Sequence, residues 1–230
     1  MKNPIPTSVA KVRRDITSYL FHFVNRDADP ADTLRQILKG GHIKGGIYPP
    51  SSSNTVCFTE APLAEIVRED GILDSHGYKR LSLWGIGFSK DFIFKAGGLP
   101  VIYQPRKLFK DLPESAQWRH VDFDLGTGLD FTWQREWRVQ ANEFKFEATD
   151  AILVIPDVGQ FVRELWQIHI DVDVEDGEQT FYGGTFKKWD FIPITHADYS
   201  NDSDIEVCRG DDFQDIIQDG YYDKMDAIGP

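Results

Sequence analysis

Residues 131–139 constrain the fold of this 230-residue chain more than any other stretch. Phe131, Trp133, Arg135, Trp137 and Val139 share one parity; Thr132, Gln134, Glu136 and Arg138 share the other. Side chains of a strand alternate between its two faces. The pattern therefore predicts a strand over 130–140, with Glu136 between Gln134 and Arg138 on one face and both tryptophans beside Arg135 on the other. A carboxylate held on a rigid strand among arginines stays ionised and oriented, which suits hydrogen bonding to a substrate hydroxyl. The same residues also fit a surface strand whose Glu–Arg pairs contribute little.

Other short apolar runs, each bounded by turn residues, predict further strands over 18–24, 55–59, 83–88, 99–103, 151–155 and 165–174, with a short one possible at 46–48. Helical spacing of Leu34, Ile37 and Leu38 predicts a helix from Ala31 or Asp32, with Asp32 as its cap and Gly40-Gly41 as its stop. Pro62 fits the first turn of a helix to about Arg68, and 90–96 reads as a short helix closed by Gly97-Gly98. Residues 106–120 read as helical or irregular. Short strands with a few short helices give an α+β class rather than a regular βαβ winding.

At 41 % hydrophobic the chain can bury one substantial core. The organisation expected is a lead-in over 1–15, one domain over 16–197 and an acidic segment over 198–230. The net charge of −12 is uneven: ten acids after Ala197 face only Arg209 and Lys224. That balance argues against a large electrostatic footprint on nucleic acid. Two cysteines, Cys57 and Cys208, make neither a disulfide framework nor a zinc set. Residues 1–14 lack the long apolar stretch of a signal peptide, and no run approaches membrane-spanning length, so the expectation is a cytoplasmic protein away from the membrane.

Several residues could carry chemistry. His22 alternates with Phe21 and Phe23 on the first strand. It either hydrogen-bonds a ribose or phosphate, or is a core or edge histidine satisfied by a backbone carbonyl. Thr59 and Glu60 end a strand before Pro62; they either cap the helix or line a pocket. Cys57, flanked by apolar residues, reads as an inert thiol. Gly85-Ile86-Gly87 lacks the third glycine of a dinucleotide fingerprint, though its glycines would admit a close approach to the strand. No P-loop, Gly-x-Ser-x-Gly or His-Glu-x-x-His occurs. Residues 171–177 place Asp176 where a calcium loop needs glycine, so no metal is expected.

Three blocks carry a resemblance. Phe21-His22-Phe23 followed by a helix ending Ile37-Leu38-Lys39-Gly40-Gly41 resembles the opening of ADP-ribosyltransferase-like proteins, including the DarT type. Cys57-Phe58-Thr59-Glu60-Ala61-Pro62-Leu63, then Gly85-Ile86-Gly87-Phe88-Ser89-Lys90-Asp91, then Leu99-Pro100-Val101-Ile102-Tyr103 resembles the AbiGi-type abortive-infection proteins of bacterial phage defence. The resemblance spans roughly 19–140. It implies an ADP-ribosyltransferase-like fold of split mixed or antiparallel sheets with short flanking helices, and NAD as substrate. In that family a first-strand histidine holds the ribose and amide side of NAD, a hydroxyl residue on a middle strand positions nicotinamide, and a late-strand glutamate binds the ribose hydroxyl. These roles would fall on His22, Thr59 and Glu136, with Tyr103 and Arg135 as pocket members.

Two functional expectations follow. One is a phage-defence or toxin–antitoxin enzyme that transfers ADP-ribose to a macromolecule or cleaves NAD, with nucleic acid entering only as a modification target. The other is a non-catalytic antitoxin or defence-complex subunit that binds a basic protein partner through its acidic end.

Overall fold

The apolar runs become neighbouring strands of one sheet. The computed structural model describes residues 17–25, 29–63, 66 and 81–156, and the backbone of three later strands. In chain order the elements are β1 (Tyr19–Asn25), α1 (Pro30–Gly40), β2 (His42–Lys44), β3 (Gly46–Ile47), β4 (Asn54–Thr59), β5 (Leu81–Ser89), α2 (Lys90–Lys95), β6 (Leu99–Pro100), β7 (Ile102–Gln104), α3 (Glu114–Gln117), β8 (His120–Asp122), β9 (Glu136–Gln140), β10 (Glu143–Lys145), β11 (Ala151–Ile155), β12 (His169–Val172), β13 (Gln179–Tyr182) and β14 (Phe191–Pro193). The main sheet runs β14-β11-β5-β1-β4-β9-β6, with β3 also on β4. Its pairings are antiparallel except β11 with β14. The fold is α+β, a mostly antiparallel sheet with few helices. Among the described residues no helix is long and apolar enough to cross a membrane.

The sheet buries both faces. Leu20, Val24, Val56, Phe58, Ile86, Phe88 and Leu153 point to one side, where Leu34 and Leu38 of α1 and Phe144 of β10 cover them. Phe21, Phe23, Ile152 and Val154 point to the other, under Ala61, Leu63 and Ile66. The alternation along β1 thus feeds two cores from one strand.

Local chemistry explains α1. Its cap is Asp29, which accepts the Asp32 N–H at 3.0 Å, and Pro30 supplies the first turn. Asp32, the cap expected from the sequence, lies inside the first turn and instead accepts from Arg35 at 2.5 Å and Gln36 at 2.7 Å. Gly41 ends the helix at φ 62°, in the left-handed region that favours glycine.

The glycines of β5 do admit a close approach, and what approaches is β1. Phe21 pairs with Gly87 and Phe23 with Gly85, and a Cβ on Gly87 would lie 2.8 Å from the Phe21 ring. That ring is almost wholly buried and cannot swing clear. Gly87→Ala is expected to cost about 1–3 kcal/mol, the range for overpacking a tight core, read as a lowered denaturant midpoint with an unchanged slope.

Two strand expectations are corrected. The run 99–103 divides between sheets, with β6 pairing β9 and β7 pairing β8. The strand expected over 130–140 begins only at Glu136, because Thr132–Gln134 form a 3-10 turn and Arg135 takes φ 45°. Of the strand expected over 165–174, residues 169–172 are strand. The lead-in, most of the helix expected after Pro62, Thr185–Trp189 and the acidic segment lie outside the described residues.

Candidate functional site

The geometry of β4 organises the site. A strand has two hydrogen-bonding edges, and β9 takes one of them from Thr55 to Thr59. The other edge is shared: β3 pairs at Asn54 and Thr55, and β1 registers only through Phe21 with Thr59. Between them only Cys57 turns its backbone N–H and C=O to that edge; Asn54 and Glu60 bond toward β9, and Val56 and Phe58, in step with them, do the same. β1, by contrast, pairs with β5 from Tyr19 to Asn25. The ladder between β1 and β4 is thus reduced to Phe21–Thr59, and from there toward β3 the two strands run without register, a stretch called the wedge. His22 spans it: its Nδ1–H donates to the Cys57 carbonyl at 2.9 Å, standing in for a ladder bond that the parted strands do not make.

Directly paired residues share a face. Thr59 pairs with Glu136 and Cys57 with Arg138, so these four side chains lie on one face. Phe21 shares it through Thr59, which sends His22 to the opposite face, edge-on to Phe58 at 6.0 Å. The structure brings Thr59, Glu136 and Tyr103 together and sets His22 apart from them. His22, on an interior strand, is satisfied by a backbone carbonyl, the core-or-edge alternative of the two readings its sequence context allows.

Glu136 is held from several sides. Its backbone N–H donates to the Tyr103 hydroxyl at 2.9 Å. Its carboxylate accepts from Arg138 Nε at 2.6 Å, with the two side chains only 11 % and 6 % exposed. Arg138 in turn donates to the carbonyls of Trp118 at 3.1 Å and His120 at 2.9 Å, and its guanidinium sits 5.1 Å from the centre of the Tyr48 ring. Burial, the largest influence, works against the Arg138 charge, but Glu136, Cys57 and Tyr48 together hold the guanidinium above its ordinary pKa. Burial, reinforced by the Glu136 charge, pushes the Cys57 thiol up to about 12; the sequence reading of an inert thiol fits. Burial likewise raises the Tyr103 hydroxyl to about 12.

Thr59 is committed elsewhere. Its hydroxyl donates to the Gln134 carbonyl at 2.5 Å and accepts the Ala61 N–H at 3.1 Å. It clamps the turn that launches β9 and so sets where Glu136 begins. Arg135 sits at the exposed end of that turn, and its carbonyl accepts the Glu60 N–H at 3.2 Å. It flanks Glu136 through a turn, not from the far face of a strand.

Sequence reasoning missed Tyr48 and the part played by Trp118 and His120. Tyr48 follows the short β3 in a Gly-Gly-Ile-Tyr-Pro-Pro loop, and only its aromatic character beside two glycines signals a contact role. Trp118 and His120 act through main-chain oxygens, which carry no side-chain signature.

Two histidines give the fold a pH dependence. Burial lowers the pKa of His22 and of His120 below the ordinary 6.5. Below that value the unfolded chain binds protons that the folded chain resists, so stability falls as pH falls. Denaturant midpoints are expected to decline as pH drops below about 6.5, the ordinary histidine value, and His22→Gln is expected to flatten part of that decline.

The class defined by fold and site is an α+β protein with a parted, mostly antiparallel sheet and an oriented Glu–Arg pair beside the gap. No protein-family model, curated protein or solved structure matches the chain. No group of metal-ligating side chains is found among the described residues.

Proposed function

We propose that the protein is an ADP-ribosyltransferase-like enzyme that takes NAD against the Glu136 face of the sheet, beside the seam where β1 and β4 lose register and the sheet divides as in the split sheets of that fold. The observation that carries the reading is the Glu136 carboxylate, almost buried and fixed by Arg138 at 2.6 Å on a strand paired to β4. Breaking the bond between ribose C1′ and nicotinamide leaves the electron pair on nicotinamide and positive charge on the ribose. A preorganised carboxylate stabilises that charge as it develops. The C1′ carbon then bonds a macromolecular nucleophile, which loses its proton, or water.

The roles differ from those the resemblance implies. Glu136 touches the ribose, and Tyr103 and Arg135 flank it. His22 and Thr59 are positioning residues: His22 fixes Cys57 of β4, and Thr59 fixes Gln134. A role in phage defence or a toxin–antitoxin pair is part of this proposal.

The test is a thermal-shift titration with NAD. A ligand that binds only the folded state raises the midpoint with concentration, by about 2.7 kcal/mol of stability at a hundred times Kd. The expected result is a concentration-dependent rise that Tyr103→Phe weakens. A flat response from the folded protein overturns the reading.

The charge of 198–230 favours a second reading, a binding subunit that docks a basic protein partner. Deleting those residues is expected to abolish partner capture under that reading and to leave NAD binding intact under the first.

A further inference from the structure

We infer that Glu60, Lys90 and Trp137 form a pin that holds the two half-sheets together at the closed end of the wedge and so sets how far β4 stands from β1. The half-sheets are β14-β11-β5-β1 and β4-β9-β6, joined in register only through Phe21 and Thr59. One pair is a weak joint for a sheet of this width, since a single cross-strand pair contributes little on its own.

Three side chains gather beside that joint. Glu60 directly follows Thr59 at the end of β4, and Lys90 directly follows Ser89 at the end of β5. Their side chains form an ion pair across the boundary, Lys90 Nζ to Glu60 Oε1, with both largely buried. Trp137 of β9 donates its indole N–H to the other Glu60 oxygen at 2.7 Å. The Lys90 ammonium also lies 5.8 Å from the centre of the Trp137 ring. Both carboxylate oxygens are thus engaged, one from each half-sheet. The Lys90 backbone N–H adds a bond to the Ser18 carbonyl at 2.9 Å, which ties the start of α2 to the entry of β1.

The pin and the His22 bond lie at successive points of the same gap. The pin is at the vertex, and His22 crosses where the strands begin to part. The aromatic core beneath, where Phe58 meets Phe88 edge-on at 5.9 Å, gives the halves a common floor. Loss of the pin therefore lets β4 move against β1 while both half-sheets stay folded. The pin sets the distance between the strands whatever binds beside them.

The experiment is residue-resolved amide exchange on the full chain. In Lys90→Met the amide of Cys57, which faces β1, is expected to exchange at least tenfold faster, with Val56 and Phe58, bonded to β9, and Ile152, Leu153 and Val154 in β11 unchanged. Lys90→Arg is expected to keep wild-type protection. The double variant Glu60→Gln/Lys90→Met leaves no unpaired charge, and it too is expected to show fast exchange at Cys57. Recovery of protection in the double variant would show that the effect was a charge penalty, and would overturn the pin. Uniform acceleration across β4 and β11, or none, would also overturn it. If Lys90→Met does not fold, Trp137→Phe removes one bond while keeping an aromatic ring, and the same local pattern decides.

Discussion

Glu136→Gln is expected to lower nicotinamide release from NAD by about 10²–10³-fold, the loss usual when one preorganised charge-stabilising group is removed. The substitution is nearly isosteric. Gln keeps an oxygen for Arg138 Nε, and the backbone N–H still donates to Tyr103. The ring of contacts that places the side chain therefore survives, and only the negative charge is lost. NAD affinity is expected to change far less than turnover, because the interaction strengthens as the ribose becomes cationic. The check is release of nicotinamide under single-turnover conditions, with the NAD thermal shift on the same variant. Wild-type turnover in a folded Glu136→Gln protein would remove the carboxylate from the mechanism.

The largest effect on stability is expected at the other end of the same pair. Arg138→Ala should destabilise the fold by about 3–5 kcal/mol, the range for breaking a buried ion pair. The reason is what it leaves behind. Glu136 would be a nearly buried carboxylate without its cation, and the carbonyls of Trp118 and His120 would each lose a donor. Replacing both charges, as Glu136→Gln/Arg138→Met, is expected to recover more than half of that loss. Chemical denaturation of Glu136→Gln, Arg138→Met and their double variant measures the coupling directly. A loss below about 1 kcal/mol in Arg138→Ala, the level of an exposed pair, would mean that the pair is solvated in the working protein.

The parts of the fold legible in the sequence are those that rest on local pattern. β1, β4, β5 and β11 are apolar runs between turn residues, and each appears within a residue or two of where it was expected. The sharing of a face by Glu136 and Arg138 also follows from simple alternation. What was not legible depends on partners distant in the chain. Nothing local says that β3 takes part of one edge of β4, or that β1 meets β4 through Phe21 and Thr59, the register that turns His22 to the face away from Glu136. Nor does alternation reveal that Trp133 and Gln134 belong to a 3-10 turn; the apolar–polar pattern continues through it unbroken, while Arg135 adopts a left-handed backbone. Thr59 was visible as a hydroxyl at a strand end, but its commitment to Gln134 joins residues 75 apart.

The two carbonyls that receive Arg138 have a consequence for how the chain can vary. Trp118 and His120 hold the guanidinium with main-chain oxygens alone. The requirement they meet is therefore one of path, since any residues that carry the backbone through the same curve supply the same acceptors. Outside the buried Trp118, His120 and Val121, substitution between Pro113 and Asp122 is then tolerated wherever the turn survives, whereas insertion or deletion of a single residue displaces both oxygens at once. A chain that drifted widely in composition here while keeping its length would keep its arginine anchored, and a search for shared side chains would pass over the segment without seeing what it does.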